Sequence, residues 1–195
     1  IARRPDTLFV IRAHPDEDRP GKESQQSVAE WFERSGLRQA ANVAFLGPSD
    51  YVSSYDLIRR SKLVLVYNSS VGLEASIAGV PVLCAGRARY TQIPTVFFPT
   101  TRAEYGLALE ALLDAPVLLA PEGFAAHARR FLHHELFHAS LDLSEFLTDE
   151  PGFPGMVLLK PFDPRRLLDS EALSVIRDGI LHGSPFETAR PAALA

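Results

Sequence analysis

Two short stretches of the chain carry side chains suited to holding an anion. Asn68-Ser69-Ser70 stands between an apolar run, Leu63 to Tyr67, and a helix-forming segment that opens with Val71, Gly72, Leu73 and Glu74. Serine hydroxyls beside the first amides of a helix can converge on a phosphate without any lysine, because those amides form the positive end of the helix dipole. Gly72 has no Cβ and would let a ligand come close, and a carboxylate at Glu74 is suited to accept hydrogen bonds from ribose hydroxyls. The same residues also suit plain capping, with Ser70 as the cap and Glu74 complementing the dipole. His14-Pro15 ends a second apolar run, Thr7 to Ala13, where a histidine can donate a hydrogen bond to the same phosphate. The ordinary alternative for His14 is a surface histidine in a turn.

The elements that must position these residues follow from the apolar pattern. Thr7 to Ala13 reads as a strand stopped by Pro15, and Glu23 to Leu37 as a helix with Val28, Trp31, Phe32 and Leu37 at near-helical spacing. Asn42 to Leu46 is a second strand, ended by Gly47-Pro48, and Ser53 or Ser54 can cap a short helix through Ile58. Lys62 to Tyr67 is nearly all Leu and Val, which predicts a central strand covered on both faces. A helix from Val71 to Ala78 closes at Gly79, Val80 to Ala85 and Thr95 to Phe98 are further strands, and Thr101 caps a helix to Asp114. This alternation predicts a doubly wound, Rossmann-like parallel α/β sheet over residues 1–120, with ligands at the C-terminal strand ends. Residues 121–195 are expected to pack on that domain as an extension. Phe124, Ala128, Phe131, Leu132, Leu136 and Ala139 form an amphipathic helical stripe, followed by a short apolar run from Met156 to Leu159 and a helix from Ser170 to Leu181.

Composition narrows the function classes. The 195 residues carry 46% hydrophobic residues and a formal net charge of −4, so nothing favours a nucleic acid or an anionic membrane, and nucleotide binding must come from a local site. The single cysteine, Cys84, excludes an intrachain disulfide and a cysteine-based zinc cluster. The longest apolar runs fall far short of the roughly 20 residues of a membrane-spanning helix, and no signal-peptide pattern opens the chain. A cytoplasmic protein is expected, including one peripheral at the inner membrane face. The start at Ile1, running almost directly into a strand, is expected of a fragment of a longer protein.

The residues from His14 to Tyr90 resemble the C-terminal domain of GT-B glycosyltransferases, in particular bacterial capsule polysaccharide biosynthesis enzymes and related transferases that use CMP-linked sugars. The likeness is carried by Val10-Ile11-Arg12-Ala13-His14-Pro15, by Phe45-Leu46-Gly47-Pro48, and most specifically by Asn68-Ser69-Ser70-Val71-Gly72-Leu73-Glu74-Ala75 running into Gly79-Val80-Pro81-Val82. It implies one half of a GT-B fold, with His14, Ser69 and Ser70 on the donor phosphate, Glu74 on the ribose, and the backbone of Leu46 and Gly47 beside the base. His14 would act in catalysis by stabilising the departing phosphate, with no metal or other cofactor required. The implied partners are a CMP- or UDP-linked sugar, a glycan or lipid-linked acceptor, and an N-terminal acceptor domain, which usually supplies the catalytic base and has no counterpart here. The chain alone is therefore expected to bind a donor without turning it over. The alternatives are a nucleotide-sugar 2-epimerase-like domain and a non-catalytic nucleotide-binding module.

Two further patterns compete. His134-Glu135-Leu136-Phe137-His138 matches the HExxH pattern of zinc hydrolases, two histidines one turn apart with a glutamate to activate water. The extended pattern wants glycine and histidine where Leu141 and Ser144 stand, so a third ligand would have to come from Glu145, Glu150 or Glu171, and a polar face on an amphipathic helix is the favoured reading. Ala13-His14-Pro15-Asp16-Glu17 looks like the opening of zinc-dependent sugar deacetylases, but Glu17 replaces their second aspartate and their later His-x-Asp-His element is missing. Arg87, Arg89 and Tyr90 follow the strand ending at Ala85 and are in sequence reach of an anionic donor or an acceptor sugar, or form a solvated basic loop. Arg59, Arg60 and Lys62 read as a solvated helix end.

Overall fold

The valine, leucine and phenylalanine runs become short parallel strands. The computed structural model describes residues 1–18, 20, 24–152 and 155–187, in two compact units, Ile1–Arg60 and Ser61–Ala195. In the first unit β1 (Phe9–Arg12) pairs in parallel with β2 (Val43–Leu46), Phe9 opposite Val43 and Arg12 opposite Leu46. The helix between them, α1 (Val28–Arg34), begins where the Ser27 hydroxyl accepts the Glu30 N–H at 3.0 Å. That cap delays the start expected at Glu23, a residue outside those described. Phe32 of α1 is buried and stacks on Phe45 of β2, ring centroids 4.7 Å apart. A short helix, α2 (Ser54–Arg60), closes the unit.

The second unit opens with β3 (Val64–Val66), α3 (Val71–Ile77) and β4 (Val82–Cys84). β3 and β4 are parallel, and Leu83 of β4 also bridges in parallel to Phe97. β4 thus lies between two neighbours, and Val82, Leu83 and Cys84 are buried. The sequence expects β3 to be covered on both faces, yet Leu65 is 44% exposed while Val66 on the opposite face is buried, so β3 is covered on one face. Helix α3 ends as expected, with Gly79 at φ 80° and the Val80 N–H reaching back to Ala75 O at 3.0 Å.

The next helix, α4 (Arg102–Asp114), begins at Thr101 with a reciprocal capping box: Thr101 Oγ1 accepts the Glu104 N–H, and Glu104 Oε2 accepts the Thr101 N–H at 3.1 Å. The same carboxylate oxygen takes the N–H and the hydroxyl of Thr100, each at 2.9 Å. The Thr100 hydroxyl, and then the N–H groups of Thr100 and Thr101, hold the Glu104 carboxyl below the usual carboxylate range. At the other end, Lys62 Nζ donates to Leu113 O and Ala115 O at 2.9 and 2.5 Å. Lys62 is therefore a cap for the last carbonyls of α4 and not part of the end of α2.

Helix α5 (Phe124–Phe137) packs against α3, and Phe124 meets Phe97 edge-on at 5.5 Å. Residues 121–137 thereby belong with residues 61–120, and the division between units falls at Arg60 and Ser61. Ala128 is buried, but Leu136, expected on the core face, is 51% exposed. The cause is length: α3 has 7 residues against 14 in α5, too few turns to cover its far end. The run expected from Met156 becomes β6 (Val157–Leu159), antiparallel to β5 (Leu147–Asp149), and α6 (Glu171–His182) follows, capped by Ser170. The described residues are thus mixed α/β, with two-stranded parallel ladders in both units and one antiparallel hairpin.

Candidate functional site

In the second unit, Asn68, Ser69 and Ser70 are exposed at the C-terminal end of β3, where the chain turns into α3. The amides that the sequence offered to a ligand are mostly taken. Ser69 O accepts the Gly72 N–H at 3.0 Å, Ser70 O accepts those of Leu73 and Glu74 at 2.9 and 3.3 Å, and Ser69 Oγ accepts that of Val71 at 3.4 Å. The turn is already helical at Ser70, with φ −59° and ψ −24°, so its hydroxyl makes no capping bond. Plain capping by Ser70 is thereby replaced by a local self-satisfied turn. Among the described residues the N–H groups of Ser69 and Ser70 have no hydrogen-bond partner, so the amides left open lie one step earlier than expected. Glu74 is half-buried in the first turn of α3, and among the described residues its carboxylate makes no hydrogen bond or ion pair.

Behind this turn lies a buried residue whose role the sequence did not reveal. Tyr90 is 3% exposed, and its hydroxyl donates to Ser69 O at 2.6 Å. The space that Gly72 leaves is filled by this phenol: a Cβ there would lie 2.5 Å from Tyr90 Oη and 2.9 Å from Val66 Cγ2. The Cys84 thiol, also buried, donates to the carbonyls of Tyr67 and Gly86, both at 3.1 Å. Burial pushes both groups above their ordinary values, Tyr90 further still through the neighbouring Cys84, so neither is an ionised nucleophile at neutral pH. Of the two arginines beside Tyr90 in the sequence, Arg89 pairs with Glu135 at 3.0 Å and Arg87 is exposed. A cleft of about 240 Å³ beyond β4, lined by Ala85, Pro99, Thr100, Thr101, Arg102 and Tyr105, was not foreseen, and the Glu104 carboxylate already occupies the helix start beside it.

In the first unit, His14 is exposed just past β1. The Asp16 N–H donates to His14 Nδ1 at 3.0 Å, which leaves Nε2 as the protonated nitrogen of the neutral ring and a donor toward solvent. A cleft of about 270 Å³ is lined by His14, Asp16, Glu17 and Ser24. Glu17 is 6% exposed and accepts the Val28 N–H at 2.5 Å, so it serves the start of α1. Leu46 and Gly47 close β2 with their backbone engaged: Leu46 O accepts the Ala13 N–H at 2.9 Å, and the Gly47 N–H donates to Asp50 Oδ2 at 2.7 Å.

The HExxH segment spans the end of α5. The His134 and His138 rings stack at 5.8 Å, but Glu135 turns to Arg89, and His134 Nε2 lies 3.7 Å from Glu187 Oε1. Among the described residues no group of three or more His, Cys, Asp or Glu side chains is placed to hold a metal ion. Protein purified without chelators is accordingly expected to contain substoichiometric zinc by metal analysis. Near-equimolar zinc that disappears in the His134→Ala, His138→Ala double variant would reverse this reading. Among the described residues no helix is long and apolar enough to cross a membrane.

Residues 1–94 match the family model described as capsule polysaccharide biosynthesis protein. The matched stretch contains His14, Leu46, Gly47, the Asn68–Ser70 turn, Glu74 and Tyr90. No curated protein and no solved structure matches the chain.

Proposed function

We propose, with the capsule-biosynthesis likeness of residues 1–94 as premise, that this chain is the nucleotide-sugar-binding part of a GT-B-type glycosyltransferase that builds surface polysaccharide. In this reading its parallel strands belong to a Rossmann-like, doubly wound sheet, and an acceptor domain elsewhere in the protein completes the enzyme. The observation that carries it is the exposed Ser69-Ser70 turn at the C-terminal end of a parallel strand, where both hydroxyls can still donate, the Ser69 and Ser70 N–H groups are open among the described residues, and an unpaired Glu74 carboxylate lies one turn on. Hydroxyls and amides suit phosphate oxygens, and a carboxylate suits ribose hydroxyls. In the first unit, His14 with its solvent-facing Nε2–H, and Leu46 and Gly47, keep the donor roles that the resemblance implies for them.

Catalysis in the whole protein would then rest on stabilising the charge that develops on the departing nucleotide phosphate, with no metal required. The donor class is a CMP- or UDP-linked sugar and the acceptor a glycan or lipid-linked acceptor.

The test is calorimetric titration of CMP and UDP into wild type, His14→Ala, Ser69→Ala with Ser70→Ala, and Glu74→Gln, with folding checked for each. Each lost hydrogen bond to charged phosphate is expected to weaken binding about ten- to a hundredfold. Glu74→Gln should weaken nucleotides but not inorganic phosphate, since a carboxylate accepts from hydroxyls and repels phosphate. Equal affinity across all folded variants would refute the assignment.

A further inference from the structure

The chain leaves β4 through Gly86 and enters a 3-10 turn, Arg89–Gln92, that carries Tyr90 back beneath the β3–α3 turn. The tyrosine is fixed at both ends. Its hydroxyl donates to Ser69 O at 2.6 Å, 21 residues away in the chain. Its own carbonyl accepts the Thr95 hydroxyl at 2.7 Å, and Thr95 O in turn accepts the Ser76 hydroxyl of α3 at 2.6 Å. Thr95 and Ser76 are 0% and 1% exposed, so this relay lies in the core. Only a residue without Cβ at position 72 leaves room for the phenol, since an added carbon would lie 2.5 Å from its oxygen.

A buried phenol needs hydrogen-bond partners, and beside the distant Cys84 Sγ at 3.9 Å the close one is the carbonyl of an exposed turn. That arrangement ties Ser69 to the rigid interior while its side chain stays in solvent. We infer that Tyr90 is a positioning residue, whose hydroxyl fixes the Ser69 peptide and so sets the direction in which Ser69 and Ser70 present their hydroxyls and N–H groups. The functional half of this inference rests on the nucleotide reading above. Fixing the turn before binding lowers the ordering cost that a ligand would otherwise meet.

Tyr90→Phe removes the hydroxyl and keeps the ring. Ser76→Ala removes a buried hydrogen bond from the same relay without touching the turn. In the ligand-free protein, amide hydrogen exchange at Gly72 and Leu73 is expected to rise about tenfold in Tyr90→Phe, with β4 and α4 unchanged, while Ser76→Ala leaves those two amides near wild type. Affinity for CMP or UDP should fall about tenfold in Tyr90→Phe and stay within about twofold in Ser76→Ala. Gly72→Ala, which displaces the phenol from the other side, should reproduce both effects and serves if Tyr90→Phe does not fold.

Unchanged exchange at Gly72 and Leu73 would overturn the positioning role whatever the ligand. Faster exchange with unchanged nucleotide affinity would reduce Tyr90 to a structural residue and overturn the functional half. Wild type that binds neither CMP nor UDP would refute the nucleotide reading, with the exchange result still deciding Tyr90.

Discussion

Leu83→Ala is expected to destabilise the second unit by about 2–5 kcal/mol, the range for a leucine truncated in a packed core. Leu83 is 0% exposed, sits at the middle of β4, and pairs with Leu65 on one side and Phe97 on the other. Removing its side chain opens a cavity in a strand flanked by β3 on one side and the Phe97 bridge on the other, where the neighbours can relax little. Leu65→Ala is the matched control, because Leu65 is 44% exposed and its truncation should cost about 1 kcal/mol. Urea unfolding of both variants measures the difference. Equal losses would mean that β4 is not the centre of this unit's core.

Gly72→Ala is expected to cost about 2–4 kcal/mol, combining overpacking of about 1–3 kcal/mol with a lost hydrogen bond of about 1 kcal/mol. The added carbon meets Tyr90 Oη at 2.5 Å and Val66 Cγ2 at 2.9 Å, and neither yields easily, one being hydrogen-bonded in the core and the other part of a strand. Gly79→Ala separates sterics from backbone strain. Gly79 has φ 80° with nothing within 4 Å of its missing Cβ, so alanine there carries only the left-handed penalty of about 1–2 kcal/mol. A Gly72→Ala loss no larger than that of Gly79→Ala would show that Tyr90 moves aside freely.

The elements that the sequence disclosed best are those whose signals are local. Thr101 and Glu104 form the capping box of α4 within four residues, and Gly79 supplies the left-handed end of α3, so both boundaries were readable without tertiary information. The Asn68–Ser70 turn was legible for the same reason, as a change from β-branched and leucine residues to serines. What the sequence concealed depends on distant partners. Tyr90 looked like a loop residue near two arginines, because its contact with Ser69 spans 21 positions and has no sequence signature. The free amides were misplaced by one step because the backbone of Ser70 is already helical, a matter of ψ that residue types do not fix. Leu136 fitted the helical stripe, but the helix covering α5 is half its length. β5 and β6 have three residues each, too short for alternation to register.

The contact of Lys62 with the end of α4 bears on time as well as on strength. Its partners, Leu113 O and Ala115 O, lie 51 and 53 residues along the chain, and they come within reach only when β3, α3, β4 and α4 have each taken their places. A bond of such wide sequence separation closes a large loop and contributes little until the rest of the loop is ordered. It is therefore expected to form late in folding and break early in unfolding, so that its influence falls on the rate of opening and not on the rate of assembly. On that expectation Lys62 is a clasp on the lifetime of the native second unit, with the run that contains Ser69, Ser70 and Glu74 lying between its two ends.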